Sequence, residues 1–152
     1  MYARAVVSRR AETVLTAHDL HTAGPFPAWH QAQVRAATGA GGFWALHVAE
    51  AGRYRLVLSR YPRESRLRLR DSAPARIDTA VGYRFAAGVA IAPERITVQG
   101  LPQSLTWVPR RRARSARWRG YLDAGPLDLS ATWHLPGGRT LPVQYAYLRR
   151  AR

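Results

Sequence analysis

The chain has 152 residues, no Cys and a formal net charge of +15, with 24 basic residues against nine acidic ones. Its length suits one compact domain, and a hydrophobic content of 47% excludes an intrinsically disordered class. The lack of Cys excludes disulfides, thiolate zinc sites and a Cys nucleophile. The apolar stretches are too short to span a bilayer, so we expect no membrane span.

The excess of Arg creates a positive field that attracts polyanions. Every basic residue is Arg and none is Lys, which indicates a GC-rich coding bias. That bias does not explain why the acidic residues are so few. We rank an acidic or sulfated glycan, or a partner protein surface, ahead of nucleic acid.

The N-terminal stretch "MYARAVVSRRAE" reaches Arg9 and Arg10 before an apolar segment of signal-peptide length can develop. We therefore identify no export signal, and the residues do not predict a compartment.

The first candidate site is "AHDLHTAGPFPAWHQAQ", residues 17–33. Two His and one Asp within four residues suit a divalent metal, but they lack the i, i+4 spacing of a zincin helix, so we assign neither a metal site nor a cofactor. Two interpretations stay open. The polar side chains either hydrogen-bond the backbone of an irregular loop, or they bind hydroxyls while Trp stacks on a sugar ring. The candidate ligand-binding residues are His18, Asp19, His21, Trp29, His30 and Gln31.

Two alternating runs follow, "FWALHVA" and "RYRLVLSRY", separated by a Gly-containing loop. Period-two alternation predicts strands, and the short loop predicts that they pair as a hairpin. We expect Tyr61-Pro62-Arg63-Glu64 to end the second strand at a rim, where Arg63 or Glu64 could meet a partner. The predicted core residues are Trp44, which shares a strand face with Leu46 and Val48, and Tyr54, which shares a strand face with Leu56 and Leu58.

Residues 66–92 are predicted to form a long irregular excursion. Within it, "RLRLR" at 66–70 could be an edge strand kept soluble by its Arg residues. Further strands are predicted at 95–99, 116–122, 127–135 and 143–149, with a turn at 136–138. No window of 11 residues shows a convincing helical period. The pattern predicts an all-β protein, an antiparallel, jelly-roll-like β-sandwich forming a single domain over residues 1–152.

The second candidate site is "TWVPRRRARSARWRG", residues 106–120. Basic residues beside Trp107 and Trp118 can bind single-stranded nucleic acid. Alternation nevertheless places Trp118 on a core face, which favours a solvated Arg surface. The candidate polyanion patch consists of Arg110, Arg111, Arg112, Arg114, Arg117 and Arg119.

Several stretches resemble, in the same order, the C-terminal β-rich domain of bacterial arylsulfatase-type sulfatases. They are "HDLH" at 18–21, "AWHQ" at 28–31, "GGFW" at 41–44, "RYPRE" at 60–64 and "AGPLDLSATWHLPGGRTLPVQYAYLRR" at 124–150. Leu20 replaces the family's usual Trp, and His30 replaces its usual Asn. The resemblance covers most of the chain outside about 65–90.

The resemblance implies a non-catalytic accessory domain that assists recognition of a sulfated glycan or docks to a sulfatase catalytic domain. We expect the sulfatase nucleophile, a formylglycine made in a Cys/Ser-x-Pro-x-Arg sequence, to be missing, and the isolated chain not to be an enzyme. One alternative is that His18 and His21 complete the active site of a sulfuric ester hydrolase with another chain. Another is a polyanion- or nucleic-acid-binding module that uses the Arg run. Membership of an exported sulfatase would imply a periplasmic or secreted location.

Overall fold

The structure is a computed structural model, and it describes residues 3–103 and 105–151. One short α-helix, α1 (Gln31–Arg35), accompanies many strands, which confirms the predicted all-β class. In the described residues no helix has the length and apolar character needed to cross a membrane. The strands are β1 (Ala5–Val7), β2 (Thr13–Thr16), β3 (Leu20–His21), β4 (Phe43–Val48), β5 (Gly52–Ser59), β6 (Arg76–Asp78), β7 (Tyr83–Phe85), β8 (Arg95–Gln99), β9 (Leu105–Trp107), β10 (Ala116–Leu122), β11 (Gly125–His134), β12 (Thr140–Pro142) and β13 (Tyr145–Arg150).

Two main sheets enclose the hydrophobic core. The larger sheet has the order β1-β4-β11-β8-β9, with β3 also paired to β4 and β12 also paired to β11. The smaller sheet has the order β10-β5-β13-β2, and β6 and β7 form a separate hairpin. Neighbouring strands are antiparallel except β1 and β4, which are parallel. Trp44 and Trp133 of the larger sheet join Leu56 and Ala146 of the smaller sheet in one buried cluster, as in a β-sandwich.

The predicted hairpin across Gly52 is wrong. Strand β4 pairs with β1, β3 and β11, whereas β5 pairs with β10 and β13 in the other sheet. The short connection therefore carries the chain across the sandwich, and the Tyr54 hydroxyl donates to the Glu50 carbonyl at 2.6 Å. Alternation correctly predicted that Trp44 and Tyr54 are buried. It could not distinguish strands that pair edge to edge from strands that face each other through side chains.

The predicted edge strand at 66–70 does not form. Arg66 has a left-handed φ of 58°, which interrupts an extended chain at its first residue. Leu69 is buried, and its backbone N–H donates to the Ala113 carbonyl at 2.9 Å in the loop before β10. The rest of 66–92 is irregular, as predicted, apart from the β6–β7 hairpin.

A fully buried arginine holds this excursion against the helix. The Arg60 guanidinium donates to the backbone carbonyls of Arg35 at 3.1 Å, Asp71 at 3.1 Å and Val89 at 2.5 Å. It also lies over the Tyr61 ring, 4.6 Å from the ring centroid. Burial lowers the pKa of Arg60, since desolvation disfavours the charged form. These contacts fix α1, and with it the loop that precedes α1.

Candidate ligand-binding cleft

Asp19 has a local structural role in a 3-10 turn, Ala17–Asp19, which joins β2 to β3. Its carboxylate accepts from the Thr16 backbone N–H at 2.7 Å and from the Thr16 hydroxyl at 3.0 Å. This contact closes the turn, as an acidic side chain does at the start of a helix. Asp19 therefore matches the interpretation in which a polar side chain hydrogen-bonds the backbone.

Trp29 has a fixed backbone and an exposed ring. Its backbone N–H donates to the Gln33 side-chain oxygen at 2.7 Å, and its carbonyl oxygen lies within hydrogen-bond distance of His18 Nε2. The rings of His18 and Trp29 meet edge to face, with centroids 5.6 Å apart. The Trp29 side chain is nevertheless 58% exposed. A large aromatic surface is thus held in place at the end of the loop and presented to solvent.

An open cleft of about 450 Å³ lies beside Trp29. Phe26 approaches Trp29 with ring centroids 5.8 Å apart, and His21 approaches Phe43 with ring centroids 5.5 Å apart. His18 also lines the cleft. The cleft therefore combines three aromatic rings with two imidazoles, a composition suited to a ligand that has an apolar face and polar edges.

His30 and Gln31 lie next to this cleft, in different surroundings. His30 Nδ1 accepts from the Ala32 backbone N–H at 3.1 Å and so caps α1, while its ring stacks on Phe85. The Gln31 side-chain amide donates to the Tyr145 hydroxyl. Burial raises the pKa of Tyr145, and the hydrogen bond from Gln31 opposes that effect. His30 and Gln31 line a smaller pocket of about 220 Å³, which shares His18 and Trp29 with the cleft.

The structure thus divides the predicted ligand residues into two groups. His18, His21 and Trp29 border the cleft, whereas Asp19, His30 and Gln31 hold the surrounding backbone or the neighbouring pocket. Within 3–103 and 105–151, no group of three or more His, Asp or Glu side chains is arranged to hold a metal ion. The sequence reasoning missed Phe26 and Phe43, although both are aromatic residues in or beside the quoted stretches.

The predicted Arg patch separates into two parts. Four of its members lie on the exposed connection between β9 and β10, namely Arg110, Arg111, Arg112 and Arg114. Arg117 and Arg119 instead lie on β10, on the face away from the core. Trp118 is half-buried and packs against the core, as its alternation with Arg predicted.

The expectation that the chain lacks a Cys/Ser-x-Pro-x-Arg sequence is wrong, because that spacing occurs at residues 72–76, "SAPAR". Ser72 is exposed and its hydroxyl donates to the Gly88 carbonyl at 2.6 Å, at the start of the excursion. Arg76 is exposed and lies 3.9 Å from the Asp78 carboxylate. Neither residue borders the cleft at Trp29.

Comparisons with family models, with curated proteins and with solved structures found no match to this chain.

Proposed function

We propose that this protein is a non-catalytic accessory domain that recognises a sulfated glycan on behalf of a sulfatase-type hydrolase. The observation that carries the proposal is the exposed Trp29 ring, held by its backbone at the edge of a cleft of about 450 Å³. The ordered resemblance of five stretches to sulfatase C-terminal domains supports the choice of family.

Carbohydrate chemistry fits this cleft. A pyranose ring has one face of C–H groups that packs on an aromatic ring, and its edges carry hydroxyls that exchange hydrogen bonds with polar side chains. Trp29 and Phe26 offer the aromatic surface, and the imidazoles of His18 and His21 provide nitrogen atoms at the same cleft. Because the Trp29 backbone is already hydrogen-bonded, binding orders few additional groups.

The test uses the fluorescence of Trp29 and the affinity for an oligosaccharide. Trp44 and Trp133 are buried and Trp107 and Trp118 are half-buried, so acrylamide should quench Trp29 most strongly, and the difference between wild type and Trp29→Ala gives the Trp29 signal. We expect a heparin tetrasaccharide and its chemically desulfated counterpart both to protect Trp29 from quenching. Trp29→Ala should weaken binding of both sugars by roughly 5- to 150-fold, which corresponds to about 1–3 kcal/mol for a stacked aromatic ring.

Val108→Ala is the matched control, because Val108 is 69% exposed and lies outside the cleft. Unchanged sugar affinity in the Trp29→Ala variant would overturn carbohydrate recognition by the cleft. If that variant instead lost binding to a purified sulfatase catalytic domain, the cleft would be a docking surface.

We also propose that the isolated chain has no sulfatase activity. A folded preparation should not hydrolyse 4-nitrophenyl sulfate, and mass spectrometry should find Ser72 unmodified. Hydrolysis that disappears in Ser72→Ala, or in a His18→Ala and His21→Ala double variant, would show that the isolated chain is itself catalytic and would overturn this part of the proposal.

A further inference from the structure

Three arginines from three neighbouring strands form one row on the outer face of the smaller sheet. Arg119 of β10 pairs with Arg55 of β5, and Arg149 of β13 pairs with the same Arg55 from the other side. Residues directly opposite each other on paired strands project from the same face, and neighbouring strands are about 4.8 Å apart. The row therefore brings three guanidinium-bearing side chains together although they are distant in sequence.

No carboxylate within the described residues forms an ion pair with any of these three side chains. The neighbouring Arg150 differs, since it lies 2.9 Å from the Glu50 carboxylate. Like charges directly opposite each other on paired strands are destabilising. The charges of Arg55, Arg119 and Arg149 are therefore not neutralised by a carboxylate, whereas the charge of Arg150 is. A bound anion would neutralise them.

The row also lines a depression. Arg55, Arg119 and Arg149 border a space of about 190 Å³ together with Ala151, and they share no lining residue with the cleft at Trp29. Arg149 also lines an adjoining groove of about 410 Å³ with Arg9, Arg10 and Glu12, and Arg9 lies 3.8 Å from the Glu50 carboxylate. On the other side Arg117, which is two residues before Arg119 on β10, faces outward as well. The positively charged surface is therefore an elongated band rather than a single anion site, and we call this band the track.

We propose that Arg55, Arg119 and Arg149 bind a sulfate group of an extended sulfated glycan, which continues along the track towards Arg9 and Arg10. A guanidinium can donate two parallel hydrogen bonds to two oxygens of an anion such as sulfate. A charge-assisted hydrogen bond of this kind is stronger than a neutral one. The glycan identity of the ligand rests on the proposed function, whereas the anion site itself does not.

Single-stranded nucleic acid fits this face less well. Proteins that bind it place aromatic rings along the strand for the bases to stack on. Beside the row the described structure exposes the Tyr121 ring, and the exposed Phe26 and Trp29 belong to the cleft on the larger sheet. The row offers charge without a series of stacking surfaces.

The test compares two triple variants that remove the same charge. The first carries Arg55→Gln, Arg119→Gln and Arg149→Gln, and the second carries Arg110→Gln, Arg111→Gln and Arg112→Gln. Calorimetry with a heparin dodecasaccharide at two salt concentrations should show roughly a tenfold or greater loss of affinity for the first triple and about twofold or less for the second. The first triple should unfold at the same or a higher urea concentration than wild type, because it relieves repulsion between like charges.

Equal losses in the two triples would overturn the site and leave only a diffuse positive field. Tighter binding of a single-stranded oligonucleotide than of the dodecasaccharide, lost in the first triple, would overturn the glycan as its ligand. The desulfated tetrasaccharide separates this proposal from the cleft proposal. Its binding should depend on Trp29 and not on the row, so either proposal can fail while the other stands.

Discussion

The imidazole of His18 contacts the carbonyl oxygen of Trp29, 11 residues further along the chain. This contact joins the two ends of the loop that carries the exposed Trp29 ring, and the edge-to-face approach of the two rings adds to it. The orientation of the Trp29 ring is therefore linked to a residue that sequence reasoning selected as a ligand contact.

We expect His18→Ala to loosen the loop without unfolding the protein, because His18 is exposed. The lost hydrogen bond is worth about 1 kcal/mol, so the affinity for the desulfated tetrasaccharide should fall severalfold. Acrylamide quenching of Trp29 in the free protein should change as well. His47→Ala is the control, since His47 is exposed on β4 and does not line the cleft. Equal affinities for wild type and His18→Ala would contradict this account.

Gly42 and Gly24 form a matched pair for testing how the cleft is built. A Cβ added at Gly42 would lie 2.2 Å from the His21 carbonyl oxygen, whereas one added at Gly24 would meet no atom within 4 Å. Gly42→Ala must therefore displace β3 from β4, and we expect a loss of about 1–3 kcal/mol in the free energy of unfolding together with weaker sugar binding. Gly24→Ala should leave both quantities near their wild-type values. Urea unfolding and calorimetry on the two variants provide the measurement, and similar results for both would refute the expectation.

Replacing Arg60 by Met should destabilise the protein by about 1–3 kcal/mol. The Val89 carbonyl loses its donor, and a buried group left without a partner costs about 1–3 kcal/mol. The carbonyls of Arg35 and Asp71 each lose one hydrogen bond but keep a second donor, the Val89 backbone N–H and the Tyr61 hydroxyl. Arg110→Met removes the same charge from an exposed loop and should change the free energy of unfolding by less than about 0.5 kcal/mol. If the two variants have the same urea midpoint, the Arg60 contacts do not hold the excursion in place.

Alkaline pH should weaken the fold. Burial raises the pKa of Tyr54, Tyr61, Tyr145 and Tyr147, because desolvation disfavours the phenolate. The folded-state pKa of each exceeds its unfolded value, so this contribution to stability is complete below about pH 10 and is lost as the pH rises through the folded-state values. Urea unfolding between pH 8 and pH 11 should show the free energy of unfolding falling above about pH 10. A less steep fall in Tyr54→Phe would assign part of it to that residue, and a flat profile in wild type would contradict the prediction.

Local alternation was sufficient to locate most strands. Strands β8 and β10 have the predicted bounds, and the turn at 136–138 connects β11 to β12. The parallel pairing of β1 with β4 and the assignment of β5 to the opposite sheet were not predictable in this way. Those features depend on which buried faces pack together, a long-range property that a window of residues does not contain.

For the candidate cleft, too, the sequence predicted some features and could not predict others. The sequence identified Trp29, His18 and His21 because polar and aromatic residues cluster there. It left open whether the polar side chains hydrogen-bond the backbone or a ligand, and it did not predict which of them do so. Asp19 closes a turn and His30 caps α1, roles that depend on local backbone geometry. The sequence did not reveal the row of Arg55, Arg119 and Arg149, because these residues become neighbours only through the pairing register of their strands.

The crossing between β4 and β5 has a kinetic consequence. After every one or two strands of the larger sheet the chain returns to the smaller one, so neither sheet is made from a continuous segment. The last strand, β13, lies between β5 and β2 and therefore joins two strands that precede it by many residues. Pairings of such high sequence separation form slowly, because loop-closure entropy is lost before the contacts compensate for it. During synthesis, β2 and β5 must remain without the strand that separates them until β13 has left the ribosome, which makes their open edges the segments most exposed to misassembly.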